Sequence, residues 1–378
     1  MSACVAATIA GIDPLQECLA VMKIEQTKTT WTQSWWSHQP PALRRRETVA
    51  SVALRGHARV VLDCPATSEH QNSPEADFRS KLAQGSDNIM DFRKRFVVPP
   101  GGKLKLADID AAYKGEHESH QAAAAEIVRN TEALAHLQYK LYAEGRRSLL
   151  VVLQGLDASG KDGVIRHIFN SINPQGVNVT CFKQPSYEEL GHDFLWRAHC
   201  HVPINGDIMI FNRSHYEGVL VVRVHNIVPK AIWSTRYDRI CEFEKLLTQA
   251  GTRVLKFYLH ISPEEQLTRF KERLENPHRN WKISNSDYTE REYWPAYIAA
   301  FEDAIRETTT TDAPWYVVPS NHKWFRDLAI SSILIDTLDE MKLQIPKPSA
   351  DLKAIRLRYH SAKIEQKKNE QLNLPKTK

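Results

Sequence analysis

Five short apolar runs, separated by longer amphipathic segments, form the most constraining pattern in the sequence. The runs are residues 149–154, 177–182, 207–212, 254–259 and 315–318. Helical periodicity predicts helices near 163–172, 186–200, 233–250, 263–276, 289–307 and 323–342. Buried-looking strands that alternate with helices form a parallel sheet covered by helices on both faces. We therefore predict an α/β fold of three layers around a five-stranded parallel sheet, with ligands bound beyond the carboxyl ends of its strands.

The segments on either side of this pattern have a different character. Residues 1–90 show weak periodicity, so we predict a poorly ordered N-terminal extension there. A helix is expected from about residue 118 to Gly145, which supplies a stop signal. The predicted domain covers residues 91–345. Residues 346–378 form a basic tail, rich in Lys, Gln and Asn, for which both a mobile and a helical state are open.

Positive charge is concentrated in this tail. The 378-residue chain has 50 Lys plus Arg and 45 Asp plus Glu, a net charge of +5. Residues 352–378 carry eight basic and two acidic residues, a net charge of +6, which leaves −1 on residues 1–351. A positive chain suggests a polyanionic partner, but the near-neutral body cannot attract one through its overall charge. Recognition of a polyanion by the body must therefore depend on a few well-placed groups.

The composition excludes several classes of protein. Hydrophobic residues make up 42% of the chain and charged residues 25%, which is typical of a globular protein. No stretch approaches the roughly 18 apolar residues of a membrane-spanning helix, so we expect no membrane partner. The six cysteines include no Cys-x-x-Cys pair, and no basic residue precedes Lys23. These features predict reduced thiols, no secretory signal and a cytoplasmic location.

The first apolar run leads directly into a glycine-containing loop. Its sequence, Gly155-Leu-Asp-Ala-Ser-Gly160-Lys161, lies between a predicted strand and a predicted helix, the context of a GxxxxGK phosphate loop. The glycines let consecutive backbone N–H groups point at an anion, and the helix N-terminus and Lys161 add positive charge. We therefore predict a phosphate site. The alternative is a tight turn that carries a lysine by chance.

Two acidic residues of this loop are unusual neighbours for a phosphate. Asp162 stands where most ATP- and GTP-binding loops carry the Ser or Thr that ligates magnesium. A carboxylate is expected to meet a phosphate through Mg²⁺ or its waters, and Asp157 inside the loop invites the same interpretation. We favour a metal role for Asp157. For Asp162, a metal role and simple stabilisation of the helix N-terminus are equally open.

The third apolar run ends in a second polar motif, Asn212-Arg-Ser-His-Tyr-Glu217. Further motifs follow the same order along the chain in segments 194–197, 220–223 and 276–282. Together with the phosphate loop, these motifs resemble the polyphosphate kinase 2 family from about residue 92 to 341. The motif after the third run looks like the third class of that family, although Gly218 stands where we expect an acid.

The resemblance implies a function and a set of partners. Members of the family are P-loop kinases that move phosphoryl groups between inorganic polyphosphate and nucleotides, and the third class phosphorylates AMP as well as ADP. The implied cofactor is Mg²⁺, or Mn²⁺ in its place. The implied assembly is a homo-oligomer, either a dimer or a tetramer, and no specific nucleic-acid partner is expected.

We assign roles to individual residues on this basis. The expected catalytic residues are Asp157, Lys161, Arg213 and Glu217, of which Asp157 and Glu217 would also place metal ions. Arg213 suits a phosphate because it offers two parallel N–H donors. The residues expected to bind phosphate or nucleotide are Gly155, Ser159, Gly160, Asp162, Gly163, Lys183, Asn212, Ser214, Tyr216 and Arg223. An acid on a helix surface is the alternative for Glu217, and a structural salt bridge is the alternative for Arg223.

Residues from about 263 to 290 resemble the mobile lid of the family. Within 269–282, five basic and two acidic residues give a local charge of +3, and Asn276-Pro277 breaks the predicted helix. On composition alone, a solvated helix face would be the better interpretation. The resemblance instead implies a helical lid that closes basic side chains over polyphosphate. Its expected chain-binding residues are Arg269, Arg273, Arg279 and Lys282.

Two other functions are compatible with parts of this pattern. An ATP-dependent nucleoside or nucleotide kinase would use the same fold, but Asp162 and the basic lid speak against it. A non-catalytic protein that binds polyphosphate or nucleic acid would rely on the basic tail.

Overall fold

A five-stranded parallel sheet, with the strand order β2-β3-β1-β4-β5, forms the centre of the molecule. The computed structural model describes residues 90–372, so all but one residue of the predicted extension, 1–90, lie outside the described residues. The strands are β1 (Ser148–Gln154), β2 (Val177–Cys181), β3 (Ile208–Asn212), β4 (Thr252–His260) and β5 (Trp315–Pro319). Each begins and ends within about two residues of its predicted apolar run. The predicted parallel sheet is therefore confirmed.

The helices follow the strands in alternation, with a few subdivisions. They are α1 (Phe92–Phe96), α2 (His120–Glu144), α3 (Lys161–Ile168), α4 (Tyr187–Leu190), α5 (Trp196–His199), α6 (Val221–Val224), α7 (Lys230–Trp233), α8 (Arg236–Gln249), α9 (Pro263–Glu275), α10 (Asn285–Glu292), α11 (Trp294–Thr308), α12 (Lys323–Glu340) and α13 (Leu352–Leu372). The predicted helix 289–307 is divided between α10 and α11 at Tyr293. Pro295 in the first turn of α11 explains the break, because proline lacks an N–H and starts a helix more readily than it continues one.

Side chains of β1 alternate between two apolar cores, one on each face of the sheet. Leu149, Val151 and Leu153 belong to the core that includes residues of α2 and α12. Leu150 and Val152 belong to the core that includes residues of α8 and α11. Because successive side chains of a strand point to opposite faces, this alternation places helices on both sides of the sheet. The predicted three-layer architecture is confirmed.

The edge strand β2 departs from the predicted pattern of burial. We expected a buried strand, but Asn178, Val179 and Cys181 are exposed. The reason is the position of β2 at the edge of the sheet, where it pairs only with β3. An apolar run alone does not distinguish an edge strand from a central one.

A buried ion pair links the sheet to the helical layer on one side. Lys256 of β4 is 0% exposed, and its ammonium donates to Glu244 of α8, to the Tyr216 hydroxyl (3.1 Å) and to the backbone oxygen of Thr308 (2.7 Å). Burial by itself would raise the pKa of Glu244, but Lys256 and His215 hold it below its ordinary value. The carboxylate therefore stays ionised, and all three ammonium hydrogens have acceptors.

Residues 352–372 of the basic tail form the helix α13, so the helical alternative holds for that segment, whereas residues 346–351 are not helical. Residues 352–370 are all exposed. Across residues 90–372, none of the helices has the length and apolar character needed to cross a membrane.

Replacing Glu244 with Ala should destabilise the fold strongly. The change leaves the Lys256 ammonium buried without its counter-ion, and breaking a buried pair in this way typically costs about 3–5 kcal/mol. The free energy of unfolding from urea denaturation measures the effect. Glu242→Ala is the matched control on the same helix, since Glu242 forms an exposed pair with Arg239 and should leave stability close to that of the parent chain. Equal stabilities for the two variants would contradict the role assigned to the buried pair.

Candidate active site

The loop between β1 and α3 contains three residues with positive φ. They are Gly155 (151°), Ala158 (60°) and Gly160 (106°). A Cβ atom at Gly160 would lie 1.8 Å from Nη1 of Arg326, so glycine is required there by space as well as by φ. Left-handed residues among right-handed ones turn successive N–H groups toward one side, which is the geometry of an anion-binding loop. The predicted phosphate loop therefore has a suitable backbone.

Ser159 and Gly163 shape this loop from the protein side. Ser159 is fully buried, and a Cβ at Gly155 would lie 2.7 Å from its hydroxyl oxygen. A Cβ at Gly163 would lie 3.0 Å from Nη2 of Arg326. Both residues thus contribute to the shape of the loop through close packing.

Lys161 is the first residue of α3, and its side chain folds back along the loop. Nζ donates to the backbone oxygens of Gly155 (2.7 Å) and Leu156 (3.1 Å). Burial, together with the nearby Arg213, lowers the pKa of Lys161 to about 8. The charge of this lysine is therefore much easier to remove than that of an exposed lysine.

The parallel register brings the segment after β3 next to the loop. Leu153 of β1 pairs with Asn212 of β3, and the N–H of Arg213 donates to the oxygen of Leu153 (3.0 Å). Arg213 has a φ of 59°, a left-handed conformation that non-glycine residues rarely adopt. Its Nη2 donates to Oδ1 of Asp157 (3.1 Å). Asp157 and Arg213, two predicted catalytic residues that follow different strands, thus lie in direct contact.

Two carboxylates and several cations influence one another at this edge of the sheet. Burial alone would raise the pKa of Asp157, but Arg213, Lys161 and Arg273 outweigh it and hold that pKa below its ordinary value. Burial likewise opposes the charge of Arg213, yet Asp157 and Glu217 raise the pKa of the guanidinium above its ordinary value. Glu217 also raises the pKa of Lys161 and so opposes part of the effect of burial. The structure therefore brings all four predicted catalytic residues together.

Gln154, the last residue of β1, holds two residues of the polar motif. Its Nε2 donates to Oγ of Ser214 (3.1 Å) and to Oε1 of Glu217 (3.2 Å). The Gln154 side chain is 1% exposed. The sequence analysis did not single out this residue. The signal that would have found it is a polar side chain at the end of an otherwise apolar run.

Asp162 lies in the first turn of α3, where an acid stabilises the helix N-terminus, and it also contacts two side chains outside that helix. Its carboxylate accepts from Nδ2 of Asn212 (2.9 Å) and from Nζ of Lys282 (3.2 Å). Burial would raise the pKa of Asp162, but Asn212 and Lys282 keep it below its ordinary value. Asp162 therefore connects the end of β3, the loop helix and the predicted lid.

Helix α9 supports the loop on its carbonyl side. Nε2 of Gln266 donates to the backbone oxygen of Asp157 (2.8 Å). Nη1 of Arg269 donates to the backbone oxygens of Ala158 (2.8 Å) and Ser159 (3.1 Å). Because the carbonyls of three successive loop residues have donors here, loop N–H groups can face the opposite side, except that of Ser159, which donates to the oxygen of Leu156 (3.1 Å). Gln266 is a second residue that the sequence analysis missed.

Arg269 differs from the expectation that it binds polyphosphate. It is 5% exposed and uses all five of its N–H donors within the protein. Its acceptors are Glu265, Ala158, Ser159, Ser320 and Asn321. No donor is left for a polyphosphate chain, and Arg269 instead shapes the phosphate loop from beneath.

The other three predicted lid cations lie closer to solvent. Arg273 donates to the backbone oxygen of Lys282 (3.1 Å), whose ammonium reaches the loop helix at Asp162. Arg279 is half exposed and forms a long ion pair with Glu272 (3.7 Å). These three cations therefore lie in the segment predicted to form the lid, and each has a partner within the protein.

Two residues predicted to bind phosphate or nucleotide, Tyr216 and Arg223, have other surroundings, while Lys183 stays a prediction. Tyr216 is 0% exposed and its hydroxyl contacts Lys256, so it cannot line a nucleotide site. Arg223 pairs with Asp303 (2.8 Å) and lies over the ring of Trp233 (4.7 Å), which matches the structural salt bridge left open from the sequence. Lys183 is exposed and follows the edge strand β2.

Comparison with known proteins places these features in a family. A model of the family described as polyphosphate kinase 2 matches residues 117–346. The chain is 48% identical over 259 residues to the AMP/ADP-polyphosphate phosphotransferase of Meiothermus ruber, covering 68% of this chain and 96% of that protein. It is 41% identical over 270 residues to the ADP-polyphosphate phosphotransferase of Rhodopseudomonas palustris, covering 67% and 92% respectively.

A solved structure has the same architecture. The crystal structure of polyphosphate kinase 2 from Arthrobacter aurescens TC1 superposes with a TM-score of 0.70 and 38% sequence identity. The match covers 72% of this chain and 97% of that one. The shared region therefore includes the sheet, the phosphate loop and the lid, while α13 lies beyond the last residue of the family match.

Replacing Arg269 with Met should impair the loop as an anion site. The carbonyls of Ala158 and Ser159 would lose their donors, and displacement of the loop by about 1 Å can cost about 10²-fold in function. We expect the affinity for pyrophosphate, measured by calorimetry, to fall by about that factor. Lys271→Met on the same helix is the control, since Lys271 is exposed and contacts only Glu275 among the carboxylates. Unchanged affinity in Arg269→Met would show that the loop keeps its shape without α9.

Pyrophosphate affinity should also fall as the pH rises through about 8. The pKa of Lys161 is lowered in the folded protein, so its charge is fully present below that pH and is lost above it. Calorimetric titrations from about pH 6 to about pH 10 would reveal the change. A Lys161→Met variant should bind weakly at every pH and show no step near pH 8. A step of equal size in that variant would assign the titration to another group.

Proposed function

Because the chain belongs to the polyphosphate kinase 2 family, we propose that it is a phosphotransferase that moves a phosphoryl group from inorganic polyphosphate to AMP and ADP. The observation that carries the proposal is the meeting of Lys161 and Arg213 at one loop, with the lid cation Lys282 anchored to the same loop helix. The names of the relatives from M. ruber and R. palustris support the donor and the acceptors.

The reaction is an in-line displacement at the terminal phosphorus of the chain. An oxygen of the nucleotide phosphate forms the new P–O bond, and the bond to the adjacent bridging oxygen breaks. The shortened polyphosphate leaves as an anion that takes the electron pair of the broken bond, and no proton has to be moved because the attacking oxygen is already ionised. One anhydride is exchanged for another, so the reaction is reversible.

The side chains of this protein align and neutralise the reacting groups. Lys161 and the loop N–H groups hold phosphate oxygens, and the Arg213 guanidinium faces the charge that develops on the transferred group. Asp157 keeps Arg213 in place through their hydrogen bond, and Gln154 orients Glu217. These positions are set before substrate binds, so little reorganisation is needed during transfer.

The carboxylates at the site fit a divalent metal ion held partly by substrate. Within residues 90–372, no group of three or more His, Cys, Asp or Glu side chains is arranged to hold a metal ion. Mg²⁺ requires no such group, because one or two carboxylates suffice when phosphates and water complete its shell. Asp157 and Glu217 are the residues that would hold Mg²⁺, or Mn²⁺ in its place, and the ion would neutralise phosphate charge.

Polyphosphate suits the site better than ATP as the donor. The usual Ser or Thr after the loop lysine is Asp162, and the lid lysine Lys282 binds its carboxylate. Arg273 and Arg279 continue the row of cations along the lid, which fits an extended phosphate chain better than a single triphosphate. The ATP-dependent kinase remains the alternative hypothesis.

We also propose that the protein works in the cytoplasm as a homo-oligomer. The cysteines that the structure describes, Cys181, Cys200 and Cys241, are free thiols, as expected in a reducing compartment. Light scattering of the purified protein would distinguish a monomer from a dimer or a tetramer.

Replacing Lys161 with Ala should lower turnover by about 10²-fold or more, because a buried cation that acts on the transferred phosphate is lost. Turnover is measured as ADP and ATP formed from AMP with long-chain polyphosphate. Lys245→Ala, at an exposed position of α8, is the control and should retain normal turnover. Near-normal turnover in Lys161→Ala would remove the basis of the proposed function.

A donor comparison separates the hypotheses. Purified protein is supplied with AMP, ADP or GDP as the acceptor and with polyphosphate or ATP as the donor. Turnover with ATP alone would favour the nucleotide kinase. Activity with neither donor, combined with loss of polyanion binding after deletion of residues 352–378, would favour a non-catalytic binding protein.

A further inference from the structure

Helix α13 carries a basic stripe that the family match does not include. The match ends at residue 346, and α13 spans Leu352–Leu372. The helix contains six Lys or Arg and two Glu, a net charge of +4. Its positive residues are not spread evenly around the axis, and their arrangement points to a ligand.

The spacing of the stripe is helical over its whole length. The stripe consists of Lys353, Arg356, His360, Lys363 and Lys367, at alternating intervals of three and four residues. Residues at these intervals lie on one side of an α-helix. The first and last members are 14 residues apart along the helix, which corresponds to about 21 Å. The stripe is thus a straight line of four Lys or Arg residues and one His, which suits an extended anion.

The surroundings of the stripe leave its charge available. All of its residues are exposed. In the described part of the chain, the carboxylates that form ion pairs do so with other residues, and none pairs with a Lys or Arg of the stripe. Glu365 lies on the opposite side of the helix. Glu370 lies on the side of the stripe, three residues after Lys367, and its carboxylate accepts from Nε2 of Gln366 (3.0 Å).

We propose that this basic stripe is a second binding site for inorganic polyphosphate, separate from the catalytic loop and used to retain long chains. The inference rests on the proposed function, since it takes the donor of that reaction as the ligand. Four of its five members are Lys or Arg, and none is an amide side chain that could read a base. A polymer with a negative charge on every phosphate and no bases therefore fits them better than a nucleic acid does. The ring of Tyr359, on which a base could stack, does lie beside Lys363.

The course of the chain places Gln344, eight residues before α13 begins, at the end of β1 opposite the phosphate loop. The backbone oxygen of Met341, at the end of α12, accepts from Arg147, which immediately precedes β1. The N–H of Gln344 donates to Glu144 at the end of α2 (3.3 Å). The phosphate loop lies at the other end of β1, whose seven residues span about 20 Å. Only a polyphosphate long enough to bridge the two regions can contact both.

The length requirement gives a test with a matched pair of double variants. Arg356→Gln with Lys363→Gln removes two charges from the stripe. Arg358→Gln with Lys368→Gln removes one Arg and one Lys from other sides of the same helix. At low ionic strength, the stripe variant should raise the KM for long-chain polyphosphate by about tenfold with kcat unchanged, while the control should stay within about twofold. Tripolyphosphate should give the same KM with all three proteins, and added salt should reduce the difference.

Several results would overturn the inference. Equal KM values of the two double variants for long-chain polyphosphate would show that the stripe is not a binding site. An equal effect on tripolyphosphate would show that the charges act through the catalytic site. Weaker binding of single-stranded RNA by the stripe variant, with the KM for polyphosphate unchanged, would identify a nucleic-acid surface instead.

Failure of the proposed function would look different from failure of this inference. A parent protein that turns over no polyphosphate of any length would contradict the proposed function. The stripe can then still be tested without turnover, by the fluorescence anisotropy of end-labelled polyphosphate with the two double variants. Equal affinities in that measurement would contradict the stripe independently.

Discussion

The phosphate loop can point its N–H groups at an anion only if its carbonyls find donors on the other side. An unpaired buried carbonyl costs about 1–3 kcal/mol, so the loop would otherwise turn some of its peptides around. Gln266 and Arg269 provide those donors from a single helix, α9. The anion site therefore depends on α9, the first helix of the predicted lid. A displacement of α9 would therefore move the donors of these loop carbonyls.

The other half of the site is fixed by a separate anchor. Arg213 follows β3 in a left-handed conformation, which would be unfavourable without support on both sides. On one side its N–H continues the parallel ladder to Leu153. On the other, Tyr216 is held in the core by Lys256 and Glu244. The loop and the arginine thus have independent supports, and they meet through a single hydrogen bond to Asp157. Such prior placement is what electrostatic catalysis requires.

Much of the fold and the centre of the site could be predicted from the sequence, for a physical reason. Apolar runs and helical periods are local patterns, and the carboxyl ends of parallel strands always meet at one edge, so Lys161 and Arg213 had to lie close together. The supporting residues leave no such local signal. Gln154 and Gln266 act through contacts between segments far apart in sequence. Arg269 cannot be distinguished from the other cations of the predicted lid by sequence, because only its acceptors in the structure show its role. The exposure of β2 likewise follows from sheet order, which no single segment encodes.

The distribution of charge separates two tasks that a polyphosphate enzyme has to perform. Holding a long polyanion needs many weak contacts, which exposed lysines on a helix supply and which salt can loosen. Transferring its terminal group needs a few cations at fixed positions, and a large positive field in the core would destabilise the fold. In this chain residues 1–351 carry a net charge of −1, and Lys161 and Arg213 at the site face Asp157 and Glu217, while the excess positive charge lies on residues 352–378. A long polyphosphate can then be held by α13 while it is shortened at the catalytic loop. Holding the polyphosphate need not slow the release of each phosphorylated nucleotide.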